Sequence, residues 1–174
     1  MEGRLLSGAE ADRREALPLP ELLGRLGSAL RLRAWSLACA ESCTGGLIAA
    51  ACTELAGSSE WFECGFVTYS NTAKTEMLGV PLELLKTHGA VSEAVARAMA
   101  QGALARSAAQ VSLAVTGVAG PSGGSQDKPV GTVWLAYCVG GQTHSERCHF
   151  PGDRALVRSA TVRHALLTLL ERLP

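Results

Sequence analysis

The residues best suited to chemistry lie in the segment Glu41–Gly46, whose sequence is Glu-Ser-Cys-Thr-Gly-Gly. A short apolar run precedes this segment, and the alanine-rich run that begins at Leu47 predicts a helix. The first N–H groups of a helix lack intrahelical partners, and the helix dipole favours negative charge at that end. Such a turn can hold an anion or a reacting carbonyl group, which makes Ser42 a candidate nucleophile.

Two other interpretations of this segment remain open. Ser42 or Thr44 can serve as an ordinary helix N-cap, because a hydroxyl at this position satisfies an unpaired N–H group. Cys43 is a rival nucleophile, since thiolates at helix N-termini have lowered pKa values. No general base for Cys43 is apparent in the sequence, so Ser42 is the preferred nucleophile.

The candidate base for Ser42 is Lys74, which follows the motif Thr-Tyr-Ser-Asn at residues 68–71. Burial or a neighbouring cation can bring the pKa of a lysine down from about 10.4 toward neutrality, and serine–lysine pairs are an established variant of the catalytic triad. We expect Tyr69 to hydrogen-bond Ser42 or Lys74 and orient it. The alternative is that Lys74 is a solvated helix residue and Tyr69 an ordinary strand residue.

A second glycine-rich segment, residues 116–124, follows another predicted strand. Its residues Thr116, Gly117 and Gly120 permit close approach of the backbone to a ligand and offer N–H groups to a phosphate. The segment is neither a Walker loop nor a dinucleotide-binding fingerprint. Beyond it, Arg154 or Arg158 can supply positive charge to a phosphate, although either can equally be a surface arginine.

The elements that position these residues alternate between strands and helices. After a leading helix, the pattern predicts the order β-α-β-α-β-β-β-α, with a two-residue hairpin at Gly140-Gly141. Helical crossovers require parallel strands, whereas the hairpin requires at least one antiparallel strand. We therefore predict an α/β fold, a three-layer α/β/α sandwich with a mixed, mostly parallel sheet. In such a sheet the two glycine-rich segments border one crevice.

Composition excludes several classes of function. The 16 basic and 16 acidic side chains balance, which gives no electrostatic case for binding nucleic acid or a membrane surface. The six cysteines form no Cys-x-x-Cys pair, and the charged N-terminus does not resemble a signal peptide, so we expect reduced thiols and a cytoplasmic location. We expect no metal site, because the adjacent Cys148 and His149 would point to opposite faces of a strand.

The chain is predicted to contain one folded domain, residues 17–174, preceded by a flexible segment, residues 1–16. The first segment is charged and shows no sustained hydrophobic periodicity. Residues 17–174 show no internal repeat and no sign of a second domain.

Several motifs in order along the chain resemble the C-terminal domain of CinA. They are the segments 41–46, 67–71 with Lys74, 78–80, 89–93, 99–100, 115–121, 128–132 and 152–154. The stand-alone members of this family are the PncC-type nicotinamide-nucleotide amidohydrolases. The resemblance implies hydrolysis of nicotinamide mononucleotide to nicotinate mononucleotide and ammonia in pyridine-nucleotide salvage.

The resemblance also implies roles for individual residues. Ser42 corresponds to the family nucleophile, and Lys74 and Tyr69 to its activating partners. The glycine-rich loops with Thr44, Gly45, Gly46, Thr116, Gly117, Gly120 and Arg154 would bind the nucleotide, and N–H groups near Thr44 and Gly45 would stabilise the oxyanion. No cofactor is implied.

Two other functions are compatible with the sequence. One is a non-catalytic nucleotide-binding or interaction module, since the CinA name is associated with competence and DNA damage. The other is an amidase that acts on a different carboxamide nucleotide. We also expect self-association into a homo-oligomer through the long helices.

Overall fold

Six helices and five strands lie between Leu19 and Arg172 in the computed structural model, which describes residues 17–174. The predicted flexible segment 1–16 lies outside the described residues. In chain order the elements are α1 (Leu19–Arg31), β1 (Leu37–Glu41), α2 (Leu47–Thr53), a 3₁₀ turn (Ser58–Glu60), β2 (Phe62–Val67), α3 (Asn71–Leu78), α4 (Leu82–His88), α5 (Glu93–Ala105), β3 (Val111–Gly117), β4 (Thr132–Val139), β5 (Gln142–His149) and α6 (Arg154–Arg172).

The five strands form one mixed sheet in the order β2-β1-β3-β4-β5. Strand β1 pairs in parallel with both β2 and β3, whereas β4 is antiparallel to its two neighbours. Four of the five strands therefore run in the same direction, and the predicted mixed, mostly parallel sheet is confirmed. From β1 the chain passes to β2 on one side of it, and from β2 it crosses to β3 on the other side. The carboxyl ends of β1 and β3 therefore border the topological switch point of the sheet.

Helices cover both faces of the sheet, as the three-layer prediction requires. Helices α1, α2 and α6 pack on one face against large side chains such as Leu113, Leu135 and Tyr137. Helices α3, α4 and α5 pack on the other face, where the sheet presents small side chains such as Ala40 and Ala114. Because small side chains allow close approach, the alanine-rich helix α5 can lie directly against that face.

Side-chain caps and a tight turn fix the limits of several elements. The Ser70 hydroxyl accepts a hydrogen bond from the N–H of Ala73 at the start of α3, and Ser92 and Asp153 cap α5 and α6 in the same way. Val139 pairs with Gln142 across the predicted two-residue hairpin turn, both of whose glycines have positive φ angles.

The limits of β2 differ from the sequence prediction. The sequence favours a strand at residues 66–69, whereas the strand spans Phe62–Val67. Its alternating half-buried and exposed side chains are those of a sheet edge, where a period of two gives a weaker signal than the apolar runs of β1 and β3. Tyr69 consequently lies beyond the strand, in the connection to α3.

No helix within residues 17–174 is both long and apolar enough to cross a lipid bilayer.

Candidate active site

Three neighbouring parallel strands deliver the candidate residues to the same edge of the sheet. Ser42 follows the end of β1, Lys74 lies on α3 after the end of β2, and Thr116 lies near the end of β3. The N–H of Ser42 donates to the carbonyl of Val115 at 3.1 Å, which ties the segment after β1 to β3. The carboxyl ends of parallel strands therefore bring together the two motifs that the sequence singled out.

Glu41 organises the turn that carries Ser42. Its fully buried carboxylate accepts hydrogen bonds from the N–H groups of Gly46, Ile48 and Ala49 at 2.8–3.0 Å. These are the unpaired donors of the first turn of α2, and a carboxylate at this end is also favoured by the helix dipole. The anion that the sequence predicts at this helix start is thus supplied by the chain itself.

Hydrogen bonds within the turn also change which N–H groups can stabilise an oxyanion. Gly46 donates to Glu41, and the N–H of Gly45 donates to the carbonyl of Ser42 at 3.1 Å, so neither is available to a substrate through this group. Both glycines have left-handed φ angles, which a residue with a side chain rarely adopts. Within residues 17–174, the N–H groups of Cys43 and Thr44 donate to no other residue, and they remain as candidate donors.

Lys74 is buried beside Ser42. Only 1% of its surface is exposed, and its Nζ atom lies 3.0 Å from the Oγ of Ser42. The same Nζ atom contacts the carbonyl oxygens of Thr68 at 2.9 Å and Tyr69 at 3.4 Å. No carboxylate within residues 17–174 forms an ion pair with it. The amine therefore has three polar partners but no counter-ion.

Burial lowers the pKa of Lys74 below the ordinary lysine value of 10.5, because removal from water disfavours the charged form. The nearby Cys43 acts in the opposite direction, but its effect is smaller. A larger fraction of Lys74 is therefore unprotonated near neutral pH than of a solvated lysine.

Cys43 is a poor candidate for the nucleophile. Burial raises the pKa of its thiol to about 11, and the charge of Glu41 adds to this effect. The opposing influence of its own N–H group, Lys74 and Arg158 does not compensate. Cys43 is therefore a neutral thiol near pH 7, and the helix N-terminus does not activate it.

Tyr69 contributes differently from the sequence expectation. Its side chain is exposed, and its phenol oxygen accepts a hydrogen bond at 3.1 Å from Arg154 instead of contacting Ser42 or Lys74. Lys74 is contacted by the backbone carbonyl of Tyr69 instead. The physical reason is that Tyr69 lies past the end of β2, where its side chain faces outward. It links the Ser42–Lys74 pair to Arg154.

The other predicted binding residues, on α6 and in the second glycine-rich loop, make contacts that stabilise the surroundings of Ser42 and Lys74. Arg154 donates to the carbonyl of Gly120 at 2.9 Å, which joins α6 to the second glycine-rich loop. The buried hydroxyl of Thr116 donates to the carbonyl of Ala90, so it fixes a loop. Gly117 closes β3, and added bulk there would meet the carbonyl of Thr132 at 2.7 Å.

Arg158 lies beside the nucleophile loop. It donates to the carbonyl of Thr44 at 2.8 Å, and its buried Nε atom has no partner among the described residues. The buried hydroxyl of Thr44 is likewise without a partner in residues 17–174. Each of these buried polar atoms needs a hydrogen-bond partner, which a bound polar ligand or a water molecule can supply.

Sequence reasoning did not identify the part played by Glu41. The available signal was an acidic residue at the end of an otherwise apolar strand, immediately before a predicted helix start. Two clefts, of about 680 and 340 Å³, lie elsewhere, against α1 and between α5 and the β4–β5 hairpin. Neither includes Ser42, Lys74 or Arg154.

Comparison with known proteins extends over almost all of the described chain. The CinA C-terminal domain family matches residues 20–173. The nicotinamide-nucleotide amidohydrolase PncC of Pseudomonas putida is 54% identical over 154 residues, which cover 88% of this chain and 96% of that protein. PncC of Escherichia coli K12 is 49% identical over 155 residues, covering 88% and 94%.

Solved structures agree with these matches. The crystal structure of the competence damage-inducible protein A of Klebsiella pneumoniae superposes with a TM-score of 0.86 at 44% identity, and the match covers 88% of this chain and 96% of that one. Fold and sequence therefore point to the same group of proteins.

Proposed function

The chain belongs to the CinA C-terminal domain family, and we propose that it is a nicotinamide-nucleotide amidohydrolase that converts nicotinamide mononucleotide and water to nicotinate mononucleotide and ammonia. Relatives at 49–54% identity over most of the chain carry this name. Their similarity supports the activity, and the arrangement around Ser42 supports a mechanism for it.

The observation that carries the mechanism is the set of partners around the Lys74 amine. Two of them are backbone carbonyls, which can only accept hydrogen bonds, and the third is the Ser42 hydroxyl, which can also donate. A neutral amine has two N–H donors and one lone pair. The two donors match the carbonyls of Thr68 and Tyr69, and the lone pair can then accept the proton of the Ser42 hydroxyl, whereas an ammonium group donates to all three oxygens. The surroundings therefore accommodate both the neutral base and the ammonium group that it forms when it accepts the proton.

In the proposed first step, the Oγ atom of Ser42 forms a bond to the carboxamide carbon while its proton passes to Nζ of Lys74. The tetrahedral adduct then collapses, the C–N bond breaks, and the new ammonium group returns the proton to the leaving nitrogen, which departs as ammonia. Water then attacks the resulting ester with Lys74 again as base, the bond between the acyl carbon and Oγ breaks, and Lys74 returns the proton to Ser42 as the nicotinate product leaves. The reaction consumes only the carboxamide substrate and one water molecule.

The developing oxyanion needs hydrogen-bond donors close to Ser42. The N–H groups of Cys43 and Thr44 are suited to this role, because the N–H groups that follow them are engaged by Glu41 and by the carbonyl of Ser42. One well-placed donor of this kind contributes roughly 3 kcal/mol to stabilisation of the transition state.

Two arginines are suited to the phosphate of the nucleotide. Arg154 and Arg158 lie one helical turn apart on α6 and contact Gly120 and Thr44, one in each glycine-rich loop. Guanidinium groups form charge-assisted hydrogen bonds with phosphate oxygens. Tyr69 would hold Arg154 in position and present an aromatic surface to the substrate.

The proposal places the reaction in cytoplasmic salvage of pyridine nucleotides, with no cofactor and with a homo-oligomer as the working form.

Substitution of the two central residues tests the proposal. Ser42→Ala removes the nucleophile and Lys74→Ala the base, and each is expected to reduce ammonia release from nicotinamide mononucleotide by at least about 1000-fold. Ser59→Ala and Lys86→Ala, which alter an exposed serine and an exposed lysine, serve as matched controls and should retain wild-type rates. A fully active Ser42→Ala variant would exclude this nucleophile.

The same assay separates the alternatives. Wild-type protein that binds the nucleotide tightly but releases no ammonia would favour the non-catalytic module. A panel of carboxamide nucleotides would identify an amidase with a different substrate.

A further inference from the structure

A cluster of three potential metal ligands lies between β5 and α6. Glu146 and Cys148 belong to β5, and His164 belongs to α6. Their ligand atoms all lie within 4.8 Å of one another, and all three residues are half-buried. None of them takes part in the contacts around Ser42 and Lys74.

The elements that hold the cluster direct its side chains toward one another. Residues two apart on a strand point to the same face, so Glu146 and Cys148 both face the helix layer that contains α6. The fully buried Tyr137, on the neighbouring strand β4, donates a hydrogen bond to Oε1 of Glu146 at 3.0 Å. The carboxylate is therefore held in one orientation by a residue of the core.

Three polar atoms converge on one nitrogen of the His164 ring. Its Nε2 atom lies 3.1 Å from Oε1 of Glu146, 3.4 Å from Sγ of Cys148 and 3.4 Å from Oγ1 of Thr168. One ring nitrogen carries at most one hydrogen, so it cannot form full hydrogen bonds with three partners at once. A histidine–glutamate ion pair alone does not account for this convergence.

We propose that Glu146, Cys148 and His164 bind a divalent cation of the zinc class. Thiolate, imidazole and carboxylate are the three side-chain ligands of Zn²⁺, with bonds of about 2.0–2.3 Å. Around a tetrahedral ion such bonds separate the ligand atoms by about 3.3–3.6 Å, close to the observed 3.1 and 3.4 Å. The fourth position is open to water or to Thr168.

The ion joins the edge strand β5 to the last helix. Within residues 17–174, strand β5 has a sheet partner on one side only, so a cation shared with α6 strengthens its attachment. Tyr137 orients the carboxylate ligand, as outer hydrogen-bond partners of metal ligands do. The sequence expectation of no metal site rests on the adjacent residues Cys148 and His149, whereas His164, on the last helix, comes close to Cys148 only in the folded chain.

Cobalt spectroscopy tests the site directly. Untagged, chelator-treated protein is titrated with Co²⁺, and the expected result is one ion per chain with a near-ultraviolet charge-transfer band from the Cys148 thiolate. The band should disappear in Cys148→Ser and persist in Cys64→Ala, which removes the other half-buried cysteine. Stoichiometric binding without a thiolate band, or no binding, overturns the proposal.

Zinc affinity, measured by competition with a chromophoric chelator, gives a second readout. His164→Gln and Glu146→Gln are expected to weaken binding by more than about 10-fold, and Tyr137→Phe by about 10-fold, since loss of an outer partner has effects of that size. His149→Gln removes an exposed histidine from the same strand and should bind as the wild type does. Equal affinity in wild type and in folded His164→Gln contradicts the proposal.

Discussion

At the scale of single residues, the proposed chemistry depends on the contrast between two buried side chains next to Ser42. Burial lowers the pKa of Lys74 and raises that of Cys43 to about 11, because desolvation disfavours the charged form of each. The same environment therefore favours a neutral lysine, which can accept a proton, and a neutral thiol, which is a weak nucleophile. Ser42 lies at hydrogen-bond distance from the lysine and is the residue that can use it.

Replacement of the thiol tests this contrast. Cys43→Ala leaves Ser42 and Lys74 in place and removes only a minor influence that raises the pKa of Lys74. We expect kcat for ammonia release to stay within about threefold of the wild-type value, with a free energy of unfolding lower by about 1 kcal/mol for the lost packing. Steady-state kinetics and urea denaturation measure the two quantities. A loss of activity comparable to that of Ser42→Ala would identify Cys43 as essential.

At the scale of elements, the connection between β1 and α2 is held by the Glu41 carboxylate. Three N–H groups of the first turn of α2 donate to it, and the chain between them must then pass through two glycines with left-handed φ angles. Ser42 is consequently presented by a turn that is fixed at both ends, by Glu41 to α2 and by Val115 to β3.

Glu41→Gln tests this role. The amide keeps the size of the side chain, but its NH₂ group faces N–H donors where an oxygen accepted before. At least one buried donor loses its partner, so we expect a loss of about 1–3 kcal/mol in the free energy of unfolding, together with a lower kcat. Glu54→Gln, at the exposed other end of α2, is the matched control and should change stability by less than about 0.5 kcal/mol. Unchanged stability in Glu41→Gln would show that the carboxylate does not hold the turn.

Strong local signals made most elements predictable. The apolar runs of β1 and β3, the Ser92 cap and the Gly140-Gly141 turn each encode an element through nearby residues. Strand β2 was misplaced, because an edge strand alternates between half-buried and exposed residues. The contacts of the Tyr69 and Glu41 side chains depend on which elements become neighbours in space. Sequence spacing does not contain that information.

At the scale of the whole molecule, the site imposes a cost on stability. Lys74 is buried without a counter-ion among the described residues, and burial of a charged amine is unfavourable. Its folded-state pKa lies below the unfolded value, so the unfolded chain binds more protons between these two values. The stability contributed by residue 74 therefore rises with pH across that window and is lowest below the folded-state pKa.

A pH series of unfolding free energies for wild type and Lys74→Met tests this sign. The free energy of unfolding of Lys74→Met minus that of the wild type should be largest at pH values below the folded-state pKa of Lys74. It should decline as the pH rises toward 10.5. Lys86→Met, at an exposed position, should show a difference that does not depend on pH in this way. A difference for Lys74→Met that is constant with pH would mean that the lysine titrates as it does in the unfolded chain.

The pH dependence of kcat/KM for ammonia release from nicotinamide mononucleotide, measured for wild type and Lys74→Ala, tests the serine–lysine mechanism most directly. For the wild type we predict a rate that rises with pH, with a midpoint below the ordinary lysine pKa of 10.5. For Lys74→Ala we predict a rate near background at every pH. A wild-type midpoint at 10.5, or a Lys74→Ala variant as active as the wild type, would contradict the role of the buried amine as the base for Ser42.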